Sequence, residues 1–213
     1  MPTNDTTKIY AKRNNLVLRV SKGHFATNHS HINYYIDVTM QKNRLSEAQA
    51  VAKELVSYYT NNTIVDTILC LDGTQVIGTC LAEELTKENF RNMNAHQTIY
   101  IVTPEHTAGS QLIFRDNTVP MIQGKCVLIL AASVTTGYTA QSAAEAVQYY
   151  GGMVVGISSI FATAETCAGH PVRSAFNPQD LSDYASYGAH ECPMCKAGKK
   201  IDALVNSFGF SKL

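Results

Sequence analysis

The densest group of residues able to do chemistry is Ser133-Val134-Thr135-Thr136-Gly137-Tyr138-Thr139, set between an apolar run and an Ala-rich segment. A loop that leaves a buried strand and opens a helix presents free backbone N–H groups at the positive end of the helix dipole. Threonine hydroxyls lie beside them, and glycine at 137 lets the main chain approach a ligand closely, so the loop suits a phosphate monoester. The plain alternative is an ordinary turn with Thr139 as a simple N-cap. A second polar turn, Asp72-Gly73-Thr74-Gln75, also separates an apolar run from a helical pattern. Cys167-x-x-His170 and Cys192-x-x-Cys195, 21 residues apart, are two close-spaced ligand pairs that could close on one tetrahedral Zn²⁺. Their alternative is a Cys192–Cys195 element that binds no metal, with Cys167 and His170 as unrelated loop residues.

These residues need a scaffold, and the hydrophobic pattern describes one. Ser46-x-x-Gln49 has capping-box spacing, and Ala48, Val51, Ala52, Leu55 and Tyr58 then recur on one helical face. The apolar run Ile64 to Leu71 reads as a strand, followed by a helix through Val76, Ile77, Cys80, Leu81 and Leu85. Gln97 to Val102 reads as a short strand. Cys126 to Ala132, the phosphate-type loop and a helix over Thr139 to Tyr150 make a second strand–helix unit ended by Gly151-Gly152, and Met153 to Phe161 is the next strand. Strands apolar throughout and alternating with helices imply an α/β fold with a parallel sheet covered on both faces. Ligands bind such sheets at the carboxyl ends of the strands, which brings the loops after Leu71 and Ala132 to one site. Thr163 to His190 reads as irregular.

The whole chain narrows the function classes. Its 213 residues suit one domain: an N-terminal hood over 1–45, an α/β core over 46–162 and a C-terminal extension over 163–213. Seventeen basic residues offset seventeen acidic ones, so no global field draws the chain to nucleic acid or an anionic membrane. The basic stretch holding Lys8, Lys12, Arg13, Arg19 and Lys22 reads as a solvated helix face, the alternatives being nucleic acid or a neighbouring subunit's anionic ligand. The start, MPTNDTTKIY, lacks a signal-peptide core, and the longest apolar run is too short to span a bilayer, so the expectation is a cytoplasmic protein with reduced thiols. Ser211-Lys212-Leu213 spells a peroxisomal address that three residues match easily by chance.

VLILAASVTTGYT resembles the PRPP-binding signature of the type I phosphoribosyltransferases, PRPP being 5-phosphoribosyl pyrophosphate. Other segments resemble the orotate branch in the same order: Gly23-His24-Phe25 with His31 and Tyr35, the turn Asp72 to Gln75, Arg115, and Cys192-Pro193-Met194-Cys195-Lys196. The resemblance implies that Ser133 to Thr139 hold the 5-phosphate, Asp72, Gly73, Thr74 and Gln75 the pyrophosphate, and Phe25 and Tyr35 a nucleobase by stacking. It also implies a flexible loop over Thr103 to Gly109 with Glu105 and His106, Mg²⁺ as cofactor, and a homodimer sharing its loops. Under it, Cys192 and Cys195 form an element without metal.

The departures from that family are specific. Ala131 and Ala132 stand where two carboxylates hold the ribose hydroxyls of PRPP, Ala162-Thr163 stands where an Asp-Arg pair meets orotate, and the flexible loop has no lysine. Losing one preorganised charged contact of this kind costs roughly 10²- to 10³-fold in rate. Asp66, Asp72, Glu105 and His106 are the nearest groups able to compensate. Two functions follow as expectations: phosphoribosyl transfer from PRPP to a pyrimidine or related base, and a regulatory protein that binds PRPP or a nucleotide with the reaction impaired.

Overall fold

In the computed structural model, residues 7–11, 15–87, 92–95, 97–107 and 111–213 are described. The chain runs β1 (Thr7–Tyr10), β2 (Val17–Ala26), β3 (His31–Asp37), α1 (Thr39–Asn43), α2 (Leu45–Leu55), β4 (Thr67–Cys70), α3 (Gln75–Thr86), β5 (Tyr100–Val102), β6 (Glu105–His106) and β7 (Leu112–Ile113). It continues with β8 (Cys126–Val134), α4 (Tyr138–Tyr149), β9 (Met153–Ala162), β10 (Thr166–Cys167), β11 (His170–Phe176), β12 (Ser186–Tyr187), α5 (Pro193–Lys196), β13 (Ala203–Asn206) and β14 (Gly209–Lys212). Lys12, Arg13 and Gly109, named above, lie outside the described residues.

The central sheet has the order β10-β11-β9-β8-β4-β5, parallel except for the β10–β11 hairpin. Alternation along β8 gives each face its own core. Leu128, Leu130 and Ala132 point into the cluster containing Ala48, Val51 and Leu55 of α2 and Ile77, Leu81 and Leu85 of α3. Val127, Ile129 and Ala131 point the other way, onto Ala140, Ala143, Ala144 and Val147 of α4. The α/β expectation therefore holds, and the carboxyl ends of β4 and β8 are adjacent.

A second sheet, β12-β3-β2-β13-β14 with β1 on β2, forms the hood. Its strands come from both ends of the chain, because β13 pairs parallel to β2 through Ala203 with Phe25 and Leu204 with Ala26. The bidentate pair from Arg19 to Glu47, at 2.7 and 2.8 Å, ties β2 to α2. The described basic residues Lys8, Arg19 and Lys22 thus lie on strands rather than a helix: Arg19 faces Glu47, and Lys22 meets Asp183 at 2.9 Å.

Several local expectations are corrected. The helix near Ser46 begins at Leu45 behind Arg44, with no side-chain cap, so the capping box is not formed. Tyr58 is exposed and Tyr59 is buried instead, because a tighter 3-10 turn over Val56–Tyr58 rotates the register. Val76 is exposed on the outer face of α3. The strands after Ile64 and Gln97 are shorter than their apolar runs, starting at Thr67 and Tyr100. Thr163 to His190 is not irregular throughout: β11 joins the central sheet beside β9. Its sequence hid this because Arg173 and Ser174 interrupt the apolar run, and a strand near a sheet margin needs less burial.

Candidate functional site

β8 runs through Ser133 and Val134 before the chain turns at Thr135, so the loop proper is Thr135 to Gly137. Gly137 is the N-cap of α4 at φ +78°, where a residue with a Cβ is strained. Its carbonyl accepts from Gln141 N–H at 2.8 Å, and no Gly137 side chain exists to cap the turn. Thr139 lies one residue inside the helix, so it is not the N-cap. The first N–H groups of a helix have no partner within it, and here they open beside the exposed Thr136 and Thr139. Thr163, the residue after β9, donates from Oγ1 to Thr135 O at 3.1 Å and so braces the loop.

The turn after β4 is held from below. Thr74 is fully buried, and its hydroxyl is 2.8 Å from Leu71 O and 2.9 Å from Leu130 O. Asp72 and Gly73 both take positive φ, 57° and 79°. This conformation lays the Asp72 carboxylate over β8, where it accepts from Ala132 N–H at 3.4 Å. Sequence reasoning missed Lys42. It is buried in α1, and its ammonium donates to Asp72 O at 2.9 Å and to Ser207 O of the C-terminal hairpin. Desolvation pushes its pKa below the ordinary lysine value, opposed by the nearby Asp72 and Asp37. A lone lysine in a polar segment carries no sequence signal for such a role.

Both turns open on one cavity of about 540 Å³ beneath the hood. Its lining combines polar groups, Asp72, His106 and the loop from Ser133 to Thr139, with the apolar and aromatic side chains of Tyr35, Ile36, Val38, Phe161 and Tyr184. The hairpin turn Asn206 to Phe208 also lines it, held near Asp72 by Lys42. Burial pushes the Tyr35 phenol up to about 12, so it stays neutral at physiological pH. Among the described residues that line this cavity there is no lysine or arginine, and Asp72 is the one carboxylate. Against the other side of the loop lies a shallower cavity of about 490 Å³, with His29, Gln141 and Cys167. The His29 ring stands 5.1 Å from that of Tyr138, joining hood to loop.

Of the residues singled out in the sequence, the structure gathers Ser133 to Thr139, Asp72, Tyr35 and His106 around the larger cavity. Gly73, Thr74 and Gln75 lie in and just after the same turn. Phe25 is corrected: it does not line the cavity but packs in the hood core with Ile32, Ala203 and Val205, its ring 6.1 Å from that of Tyr35. Glu105 and Arg115 pair with each other at 2.7 Å in solvent, at and just beyond the β6–β7 hairpin, the guanidinium holding the Glu105 carboxyl below its ordinary range. Asp66 cannot compensate for the missing acids. It precedes β4 and accepts from Cys126 N–H at 2.7 Å, at the amino ends of the strands.

The proposed zinc quartet also separates. Cys167 sits against the phosphate-type loop, its Sγ 3.4 Å from Gly137 O. His170 begins β11, while Cys192 and Cys195 lie with His24 and His31 of the hood.

Searched against known protein families, the chain matches no family model. Its fold is shared with solved phosphoribosyltransferases. Mycobacterium tuberculosis H37Rv orotate phosphoribosyltransferase is 21% identical at TM-score 0.52, over 77% of this chain and 92% of that one. Trypanosoma brucei adenine phosphoribosyltransferase, solved with AMP, pyrophosphate and ribose-5-phosphate, is 15% identical at TM-score 0.53, over 83% and 80%. Leishmania donovani UMP synthase is 18% identical at TM-score 0.57, over 84% of this chain and 36% of that one. These likenesses establish the type I phosphoribosyltransferase fold.

Proposed function

We propose that the cavity binds a 5-phosphorylated ribose, as PRPP or a nucleoside monophosphate, with an uncharged base against its apolar and aromatic lining. The observation that carries this reading is the helix start at Gly137 opening on the same cavity as Tyr35 and Phe161. Phosphate would meet the N–H groups and hydroxyls of the loop, and a planar ring the apolar and aromatic surface that shares the cavity. Among the described lining residues a carboxylate such as orotate's finds no lysine or arginine for a bidentate contact, which favours an uncharged base. The shared fold with an enzyme solved with AMP and ribose-5-phosphate supports the ligand class.

Titration calorimetry with ribose-5-phosphate, PRPP, UMP, AMP and orotidine monophosphate tests it. Saturable binding of the first four, with orotidine monophosphate weakest, is the expected outcome. No binding by any of the five would sink the reading.

A second reading, phosphoribosyl transfer, is favoured by Asp72. Its carboxylate reaches Ala132, one of the two alanines standing where the family's ribose clamp would be, from the turn after the neighbouring strand β4. Mg²⁺ in phosphate sites is held by one or two carboxylates together with substrate phosphates. Asp72 fits that demand as the protein's anchor, and the ion would supply charge neutralisation for departing pyrophosphate. Product formation from PRPP, Mg²⁺ and uracil or a purine would establish this activity, and its absence alongside measurable binding would leave the chain a ligand-binding protein.

A further inference from the structure

Two histidines of the hood and two cysteines of the tail meet at a single point. His24 and Cys192 are fully buried, His31 is half-buried, and Cys195 lies at the surface. One ligand atom from each lies within 4.8 Å of all the others. His24 Nε2 is 3.5 Å from Cys192 Sγ, 3.6 Å from Cys195 Sγ and 3.3 Å from His31 Nδ1, and Cys195 Sγ is 3.2 Å from His31 Nδ1.

We propose that these four side chains form a closed, tetrahedral Zn²⁺ site that fastens the C-terminal segment to the hood. Zn–N bonds of about 2.0 Å and Zn–S bonds of about 2.3 Å at tetrahedral angles put nitrogen about 3.5 Å from sulfur and about 3.3 Å from nitrogen. The distances around His24 Nε2 match those edges. Two imidazoles with two thiols, and no carboxylate in the set, make a donor group suited to zinc.

The surroundings orient the ligands. His24 Nδ1 lies 2.9 Å from Lys199 O and 3.1 Å from Lys200 O, two acceptors that hold the proton on Nδ1 and leave the Nε2 lone pair facing the cluster. His24 reaches this position because the β2–β3 register shifts between Lys22 and Phe25, and a bulge re-aims a side chain that regular alternation would place elsewhere. Asp202 fixes the bulge from the tail: its carboxylate accepts from His24 N–H at 2.7 Å, and its own N–H donates to His24 O at 2.7 Å. Two thiolates balance the charge of the ion, so the site is neutral when filled.

The site stands next to the functional cavity in the chain. Lys199 and Lys200 lead into β13, whose turn at Asn206 to Phe208 lines that cavity. Because binding free energy at a structural zinc site is folding free energy for the segment it ties down, metal should order that wall.

Elemental analysis of protein prepared without chelators or added metal should find one zinc per chain. After zinc is removed, Co²⁺ should restore the site and show the d–d and thiolate charge-transfer bands of a tetrahedral S₂N₂ centre. Cys195→Ser and His31→Ala, at the two more accessible ligands, should abolish these bands, whereas Cys167→Ser and His170→Ala should keep them. Circular dichroism would establish that each variant remains folded. Zinc far below one per chain together with no Co²⁺ bands would overturn the proposal. So would bands that survive Cys195→Ser in the folded protein, or a Cys192–Cys195 disulfide in unreduced protein analysed by mass spectrometry.

Discussion

The Asp72 carboxylate accepts a hydrogen bond from Ala132 N–H at 3.4 Å, from a backbone at φ 57° that few side chains adopt without strain. Asparagine tolerates that conformation nearly as well as aspartate, so Asp72→Asn should keep the turn and remove only the charge. If the chain transfers phosphoribosyl groups, the variant should lose roughly 10²-fold or more in turnover, by analogy with removal of one preorganised electrostatic contact. Calorimetry should show ribose-5-phosphate affinity unchanged, since that ligand carries no pyrophosphate. Equal loss of both would mean that Asp72 shapes the cavity as a whole.

The proposed phosphate contact depends on Gly137. Alanine there would be held at φ +78° with its Cβ 3.2 Å from Cys167 Sγ, so the backbone must shift or the thiol must give way. A left-handed residue with a side chain costs roughly 1–2 kcal/mol, which relaxation of the loop would relieve by turning its N–H groups away. Gly137→Ala should weaken ribose-5-phosphate at least about tenfold, equivalent to about 1.4 kcal/mol. Unchanged affinity would move the phosphate site elsewhere.

Tyr35 and Phe25 are neighbours on β2 and β3 with opposite expected phenotypes. Tyr35→Ala removes a cavity wall and should reduce nucleoside monophosphate affinity by roughly 1–3 kcal/mol, the usual cost of losing a stacked aromatic, while sparing ribose-5-phosphate. Phe25→Ala empties part of the hood core and should cost about 3–5 kcal/mol of stability in denaturant melts. Reversal of the two phenotypes would restore Phe25 as the base contact.

Lys42 carries a pH signature. Its folded-state pKa is lowered by desolvation below 10.5, so between the two values the unfolded chain binds more protons than the folded one. Over that interval this group makes stability rise with pH. Lys42→Met should remove the rise, measured as the wild-type minus variant difference in denaturant stability from neutral pH toward 10.5, which cancels the contributions of the raised tyrosines and cysteines. At neutral pH the variant should still be less stable by roughly 1–3 kcal/mol, because Asp72 O and Ser207 O lose their donor.

Much of the scaffold is legible along the chain because its information is local. Val127 to Leu130 is apolar at every position because both faces of β8 are covered. The alanines of α4 recur at helical spacing, and Gly137 marks the turn between the two elements. The apolar stretch also shows where acids are missing, since Ala131 and Ala132 are read directly from the sequence. Local signals fail where a long-range contact decides. Tyr59 replaces Tyr58 in the core after one tight turn, and β11 is a sheet strand because β9 offers it an edge.

Residue order by itself determined the α/β alternation, the Gly137 loop between β8 and α4, and the alanines at 131 and 132 before it. Periodicity and turn chemistry act within one or two elements, so spacing records them. Tertiary structure alone decided the hood, which takes strands from both termini, the approach of Lys42 to Asp72, and the choice of partners for Cys192 and Cys195. Spacing paired those cysteines with Cys167 and His170, whereas a bulge in β2 and the return of β13 alongside it bring them to His24 and His31. The meeting depends on strand pairing across more than 160 positions, and no local pattern in the chain records it.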